Sequence, residues 1–260
     1  MKQPDIQPQY RQSLEKTSIA FHATVFFIVS IAAIGAIMMT LTSSPTAKGA
    51  SFLWIPAALQ LMAGVWLGPK RGLIAGGLGA YLAGILAYGG WGLVDIIMNP
   101  IAGGLANSLL PAIMFRFLRV DPTFGTHSSS DPKDILRAAG RMVSLLCAIL
   151  ILAFAMQPLN IGLWGYVPPL ALLLLTPLIF RGLHIRGRDF ILGFIICVCV
   201  SAVSAFIGSY GQVVGGQTWQ AALLGTGMGW FLGDTVSSVL GLYMLAAFTE
   251  RAREAGIAVS

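Results

Sequence analysis

Charge is scarce in this sequence. Only 10% of its 260 residues are Asp, Glu, Lys or Arg, against 56% that are apolar. That ratio excludes an ordinary water-soluble domain, which needs about a quarter of its residues charged. Cysteine is nearly absent too. Cys147, Cys197 and Cys199 all fall inside apolar runs, which excludes both a disulfide framework and a zinc pattern and leaves them as small core side chains. The three histidines, His22, His127 and His184, stand far apart, and no His/Glu cluster offers a metal site. No phosphate-binding loop occurs: Gly68-Pro69-Lys70-Arg71-Gly72 is a tight charged turn between two apolar runs. Gly76-Gly77-Leu78-Gly79 and Gly225-Thr226-Gly227-Met228-Gly229 lack the preceding strand that a dinucleotide fold requires. No Ser/His/Asp set has a plausible context, so the sequence offers no catalytic machinery, no cofactor site and no enzyme.

What is present is a series of long apolar runs. They cover residues 18–41, 51–68, 71–88, 95–115, 141–157, 166–180, 189–209 and 220–248. Runs near twenty residues match membrane-crossing helices, whereas barrel strands alternate and are near ten. The expected fold is all-α: a polytopic membrane bundle of about eight transmembrane helices. A polar tail, 1–17, precedes a single transmembrane domain, 18–248, and a tail, 249–260, follows it. The first run is too long for a signal-peptide core and lacks a small-residue cleavage site, so it is expected to be retained.

The placement of basic residues tests that map. With both termini in the cytoplasm, fifteen of the sixteen Lys and Arg residues lie on the inner side, and only Lys48 lies outside. A miscount of one helix would scatter this pattern. It also accounts for the net charge of +6 without a nucleic-acid partner. The expected location is the plasma (inner) membrane of a cell, multi-pass. Tyr88, Trp91, Trp164, Tyr166, Tyr210 and Trp219 then fall at outer helix ends, as an interfacial aromatic belt or as part of an outward ligand mouth. In the longest inner loop, Asp131-Pro132-Lys133 reads as a helix start.

Two patterns mark candidate functions. The last run carries Gly225, Gly229, Gly233, Ser237 and Gly241 at intervals of four, a stripe that lets helix backbones approach closely in lipid. Gly72, Gly76, Ala80 and Gly84 repeat the pattern in the third run, and Ala102 and Ala106 in the fourth. Beside the last stripe sits Asp234, the one acid deep inside an apolar segment, with Trp230 and Ser238 one turn to either side. A charged Asp at a helix centre costs about 2.5–3.5 kcal/mol, so it is paired, protonated or turned to a polar cavity. Either a structural hydrogen bond or a ligand or proton site satisfies that requirement. The second pattern is the row Trp91, Asp95, Asn99, Gly103, Asn107, which sets an acid, two amides and an indole along one helix face. Asn107 and Gln60 are the expected hydrogen-bonding partners of Asp234. The candidate ligand-binding residues are Asp234, Trp230, Ser238, Asn107, Asn99, Asp95, Trp91 and Gln60.

Two family resemblances follow from these residues. Phe52-Leu53-Trp54-Ile55-Pro56-Ala57, Gly68-Pro69-Lys70-Arg71-Gly72, Asn99-Pro100-Ile101-Ala102-Gly103 and Leu110-Pro111 together resemble the substrate-binding S components of energy-coupling-factor transporters. That resemblance implies capture of a vitamin or related micronutrient, with a transmembrane coupling subunit and two ATPases as partners. The family has six spans where eight are counted here, and its alanine docking motif has its nearest match in Ala32 and Ala36. Trp54-Ile55-Pro56-Ala57 with Trp230-Phe231-Leu232-Gly233-Asp234 also resembles the eight-helix membrane-associated sensor domain of bacterial signalling proteins. The span count agrees, and with seven residues after Arg253 a sensor of this kind either signals through a partner or is a fragment of a longer protein. The leading expectation is a small-molecule-binding membrane subunit of the uptake type. The alternative is a membrane-embedded sensory domain.

The charge map makes a direct prediction. Cysteines introduced at Thr46, Gly90 and Gly215 should react with an impermeant thiol reagent added outside intact cells, and one at Ser129 should not. Labelling of Ser129 from outside would invert or break the map.

Overall fold

The computed structural model describes residues 6–44, 47–51, 54–88, 92, 94–125, 140–141, 144–145, 147–149, 151–152, 155–156, 159, 164, 167–174 and 187–258. Helices dominate. They are α1 (Ile6–Thr42), α2 (Pro56–Tyr88), α3 (94–117), α4 (Val167–Leu174), α5 (Gly187–Val214) and α6 (219–254). Two short antiparallel strands, β1 (Ser43–Ser44) and β2 (Ala47–Ser51), lie between α1 and α2. Among the described residues, four stretches are long and apolar enough to cross a membrane: Thr17–Met39, Ile96–Phe117, Gly187–Val214 and Trp219–Glu254. Phe21, Phe26, Val29, Leu86, Ile113 and Phe206 stand exposed on the helix surfaces, where lipid rather than water is the fitting solvent.

α2 is a helical hairpin. Gly68 takes φ 81° and ψ 175°, which breaks the helix into arms 56–67 and 69–88. Only glycine adopts that conformation without steric cost, and Pro69 then occupies the first position of the second arm, where its missing N–H costs nothing. The chain reverses there: a Cβ built on Gly72 would stand 2.6 Å from the Cα of Gly64. This is the tight turn expected between the second and third runs. The first arm is shorter than expected, because 47–51 forms β2 and the helix begins only at Pro56.

Helix extends into both polar tails. α1 begins at Ile6, so most of the polar segment 1–17 is helical; its Gln, Arg, Glu and Lys residues are good helix formers. α6 continues past Phe248 to Glu254, with Thr249 and Ala252 buried. Its end is closed by Gly256 (φ 70°), with N–H groups of Gly256 and Ile257 bonding the carbonyls of Arg253 and Ala252. The same double closure ends α5 at Gly216 (φ 99°), and Thr218 then caps α6 by accepting from the Ala221 N–H at 3.2 Å. Four residues thus turn the chain from α5 into α6.

The small-residue stripes do what close packing requires. Gly72, Gly76, Ala80 and Gly84 are buried, and Gly76 meets the Ser108 side chain and the Gly103 carbonyl of α3. Gly229 and Gly233 are buried and Gly225 half-buried, while a Cβ on Gly241 would stand 3.1 Å from Ala58 in the first arm of α2. Ala102 and Ala106 are buried in α3.

The contacts also sort the helix ends. The Trp66 indole donates to Thr249 Oγ1 at 3.0 Å, Arg253 lies 3.7 Å from Asp121, and a Cβ on Gly68 would meet the Arg116 guanidinium at 2.9 Å. Phe124 packs edge-on against Phe190 at 6.0 Å, and Gly256 approaches Ile19. The α2 turn, the end of α3, α1 around Ile19, the start of α5 and the end of α6 therefore share one end. Exposed Lys70, Arg116, Arg119, Arg188, Arg251 and Arg253 decorate it. At the opposite end Trp219 stacks on Phe206 and lies 6.3 Å from Tyr210.

Among the expected features, Trp91, Phe52, Leu53, Tyr166, His127, His184 and the helix start at Asp131-Pro132-Lys133 lie outside the described residues. So do the middle of the longest loop, parts of the runs 141–157 and 166–180, and the side chain of Tyr88.

The stripes predict an asymmetry. Gly76→Leu should lower stability by about 1–3 kcal/mol, because its side chain would enter space already filled by Ser108 and Gly103. Gly187→Ala, with nothing within 4 Å, should stay within about 0.5 kcal/mol of the parent. Thermal unfolding of the purified variants measures both.

Candidate functional site

Three helices place a polar side chain at the same depth. Gln60 lies in the middle of the first arm of α2, Asn107 near the middle of α3, and Asp234 near the middle of α6. At a rise of 1.5 Å per residue, Asp234 stands about 22 Å from the start of its helix and about 30 Å from its end. All three are buried, at 0%, 2% and 3% exposure. Burial this complete leaves protein groups, not bulk water, to satisfy them.

Asn107 joins the three. Its Nδ2 donates one hydrogen to Gln60 Oε1 at 3.1 Å and the other to Asp234 Oδ2 at 3.1 Å. An amide nitrogen has two hydrogens, so its donor capacity is used up. The partner expected for Asp234 is therefore present in Asn107, and Gln60 reaches the acid only through it.

The local backbone is unusual where Asn107 sits. Val94–Met98 and Ala102–Leu109 are wide π turns inside α3, and Leu223–Gly227 forms another ahead of Asp234 in α6. Such turns are rare and cluster at functional sites. A π turn holds more residues than an α turn, so a row spaced by four drifts less around the helix. Ser108 closes part of its own turn by donating to the Gly103 carbonyl at 2.9 Å.

Around the trio, several polar atoms are buried without a hydrogen bond. They are Gln60 Nε2, Asn107 Oδ1 and the hydroxyls of Ser201, Ser204 and Ser238. Ser238 is one turn beyond Asp234 on α6. Ser204 stands beside the Asp234 carboxyl from α5, without a bond of good geometry. Ser201 lies one turn below Ser204 on the same helix. An unpaired buried polar group costs about 1–3 kcal/mol, so the unpaired Gln60 Nε2 and Asn107 Oδ1 within the trio itself are not a design for stability alone.

Electrostatics sharpen this. Among the described residues the buried ionisable acids are Asp189 and Asp234, and no Lys, Arg or His is buried. Asp189 lies in the first turn of α5, where an acid is favoured by the helix dipole. Among the described residues, Asp234 has no cation bonded to it; its neighbours are the Asn107 amide and the Ser204 hydroxyl.

The remaining candidates separate from the trio. Trp230 is half-buried one turn before Asp234, and its indole covers Gly208 of α5, where a Cβ would stand 2.6 Å from the ring. Asn99 is buried two turns from Asn107, with no hydrogen bond to the trio. Asp95 is in the first π turn of α3, and its side chain, like all of Trp91, lies outside the described residues. The continuous polar row from Trp91 to Asn107 thus narrows to Asn107. Ser204 and Ser201 were not singled out from the sequence; their signal is a pair of hydroxyls three residues apart in the middle of an apolar run.

Comparisons with protein-family models, curated proteins and solved structures give no match to this chain.

Proposed function

We propose that this chain is an integral plasma (inner) membrane protein that binds a small molecule at the Gln60–Asn107–Asp234 cluster. In this reading it crosses the bilayer eight times with both termini in the cytoplasm. It serves as the substrate-capture subunit of a micronutrient or vitamin uptake system energised by separate ATPase subunits. The observation that carries the binding function is the set of buried, unpaired donors and acceptors around one carboxylate at mid-depth. Polar side chains at the centre of a membrane bundle mark substrate or ion sites, because their burial is costly without a compensating partner. The grouping of basic residues at one bundle end supports placing that end in the cytoplasm. The role of ATPase partners rests on the resemblance to S components and on the lack of a nucleotide motif in the sequence.

One observation favours a second reading, a sensory domain that signals through a partner protein. α6 carries Asp234 and runs unbroken to Glu254 at the basic end. A change at the site has a rigid route along that helix to a partner on the cytoplasmic side.

The uptake reading predicts ligand binding by the purified chain without nucleotide, and net accumulation only when ATPase-bearing partners are present. Proteoliposomes measure this. Uphill accumulation by the chain alone, driven by a proton gradient, would contradict it and point to a secondary transporter. Co-purification with a cyclase or kinase would favour the sensory reading.

A further inference from the structure

We propose that the group bound by the cluster is a monovalent cation, either an alkali ion such as Na+ or the ammonium head of an amine. This deepens the reading that the cluster is a binding site and rests on it. The first argument is charge. Asp234 is buried at 3% exposure, and no Lys, Arg or His is buried among the described residues. An anion entering this region meets a carboxylate and no positive partner; a cation supplies the missing one. A divalent ion would leave an unbalanced positive charge, since every other group at the site is neutral.

The second argument is geometry. Gln60 Oε1 and Asp234 Oδ2 both point at a single atom, Asn107 Nδ2, 3.1 Å from each. That nitrogen holds partial positive charge between two oxygens, the place a cation would take. Turning the Asn107 amide over about its last side-chain bond exchanges Nδ2 and Oδ1. Three oxygens then face one another, an arrangement that repels itself unless a cation lies among them. The turn breaks no bond to Oδ1, because that atom has no hydrogen-bond partner.

The third argument is the surplus of oxygen. The Ser204 and Ser238 hydroxyls are 1% exposed and make no hydrogen bond of good geometry, one beside the carboxyl from α5 and one a turn along α6. A hard cation stripped of water needs such oxygens to replace its hydration shell. An ammonium head needs acceptors for its N–H groups, and the same oxygens serve. Gln60 Nε2, also unpaired, has no role in holding the cation; it is a donor left to hold a polar part of an attached molecule or a water.

Thermal unfolding of the purified full chain in choline chloride supplies the test. NaCl or ethylammonium chloride then replaces choline chloride at constant ionic strength. A saturable rise in Tm is expected with one of the two and not with added choline. Saturation by Na+ alone identifies an alkali-ion site, and saturation by ethylammonium alone an amine site. Asp234→Asn should abolish the rise, and Ser204→Ala should weaken apparent affinity by about tenfold. Ser204→Ala removes one unpaired hydroxyl, so it remains informative if Asp234→Asn fails to fold. No rise with either cation, or a rise unchanged in both variants, overturns the proposal. If an uncharged amide, nicotinamide, stabilises the parent but not Asn107→Leu while neither cation acts, the cation proposal falls and the binding site stands. If none of the three acts, both fall.

Discussion

The two hydrogen bonds of the Asn107 amide are the constraint on which the centre of this bundle depends. They tie α3 to the first arm of α2 through Gln60 and to α6 through Asp234, at the depth where water is scarcest. Any slide of one helix against the others by a single turn would leave a carboxylate and two amides buried and unpaired. Neutral interhelical bonds contribute only about 0.6–2 kcal/mol each, so their main effect is on register: they select one alignment of three helices among several that apolar packing would accept.

Small residues make that alignment reachable. Gly64, Gly72 and Gly76 let the α2 arms and α3 approach until backbone meets backbone, and Gly241 does the same between α6 and α2. A carboxamide is short, and Asn107 bridges Gln60 and Asp234 because these helices lie close enough. The stripes and the polar trio are one device. The glycines set the spacing, and the amide fixes the register within it.

Much of this was legible in the sequence. Spacing of four along Gly72, Gly76, Ala80 and Gly84 announced close packing, and Gly68-Pro69 announced the turn. Asp234 stood out because it alone breaks the apolar character of the deep segments; of the two partners expected for it, Asn107 bonds it directly and Gln60 bonds Asn107 instead. Other features depended on tertiary context. The polar row from Trp91 to Asn107 suggested one shared polar face, but Asn107 meets partners on the neighbouring helices and Asn99, two turns away, has no bond to them. Ser204 carries no mark along the chain, since serine is tolerated in many apolar helices; it matters because α5 sets it beside Asp234. The β1–β2 ribbon was also hidden, since small residues such as those of 47–51 fit a helix end as well as a strand.

The most direct measurement of this account is a double-mutant cycle between Asn107→Ala and Asp234→Ala, read as unfolding free energy in detergent micelles. If the amide bridge sets the register of the bundle, the two losses are not additive, and the coupling is about 0.5–2 kcal/mol. Additivity within about 0.3 kcal/mol would mean that Asn107 and Asp234 act independently, and the bridge would no longer explain how the helices are aligned.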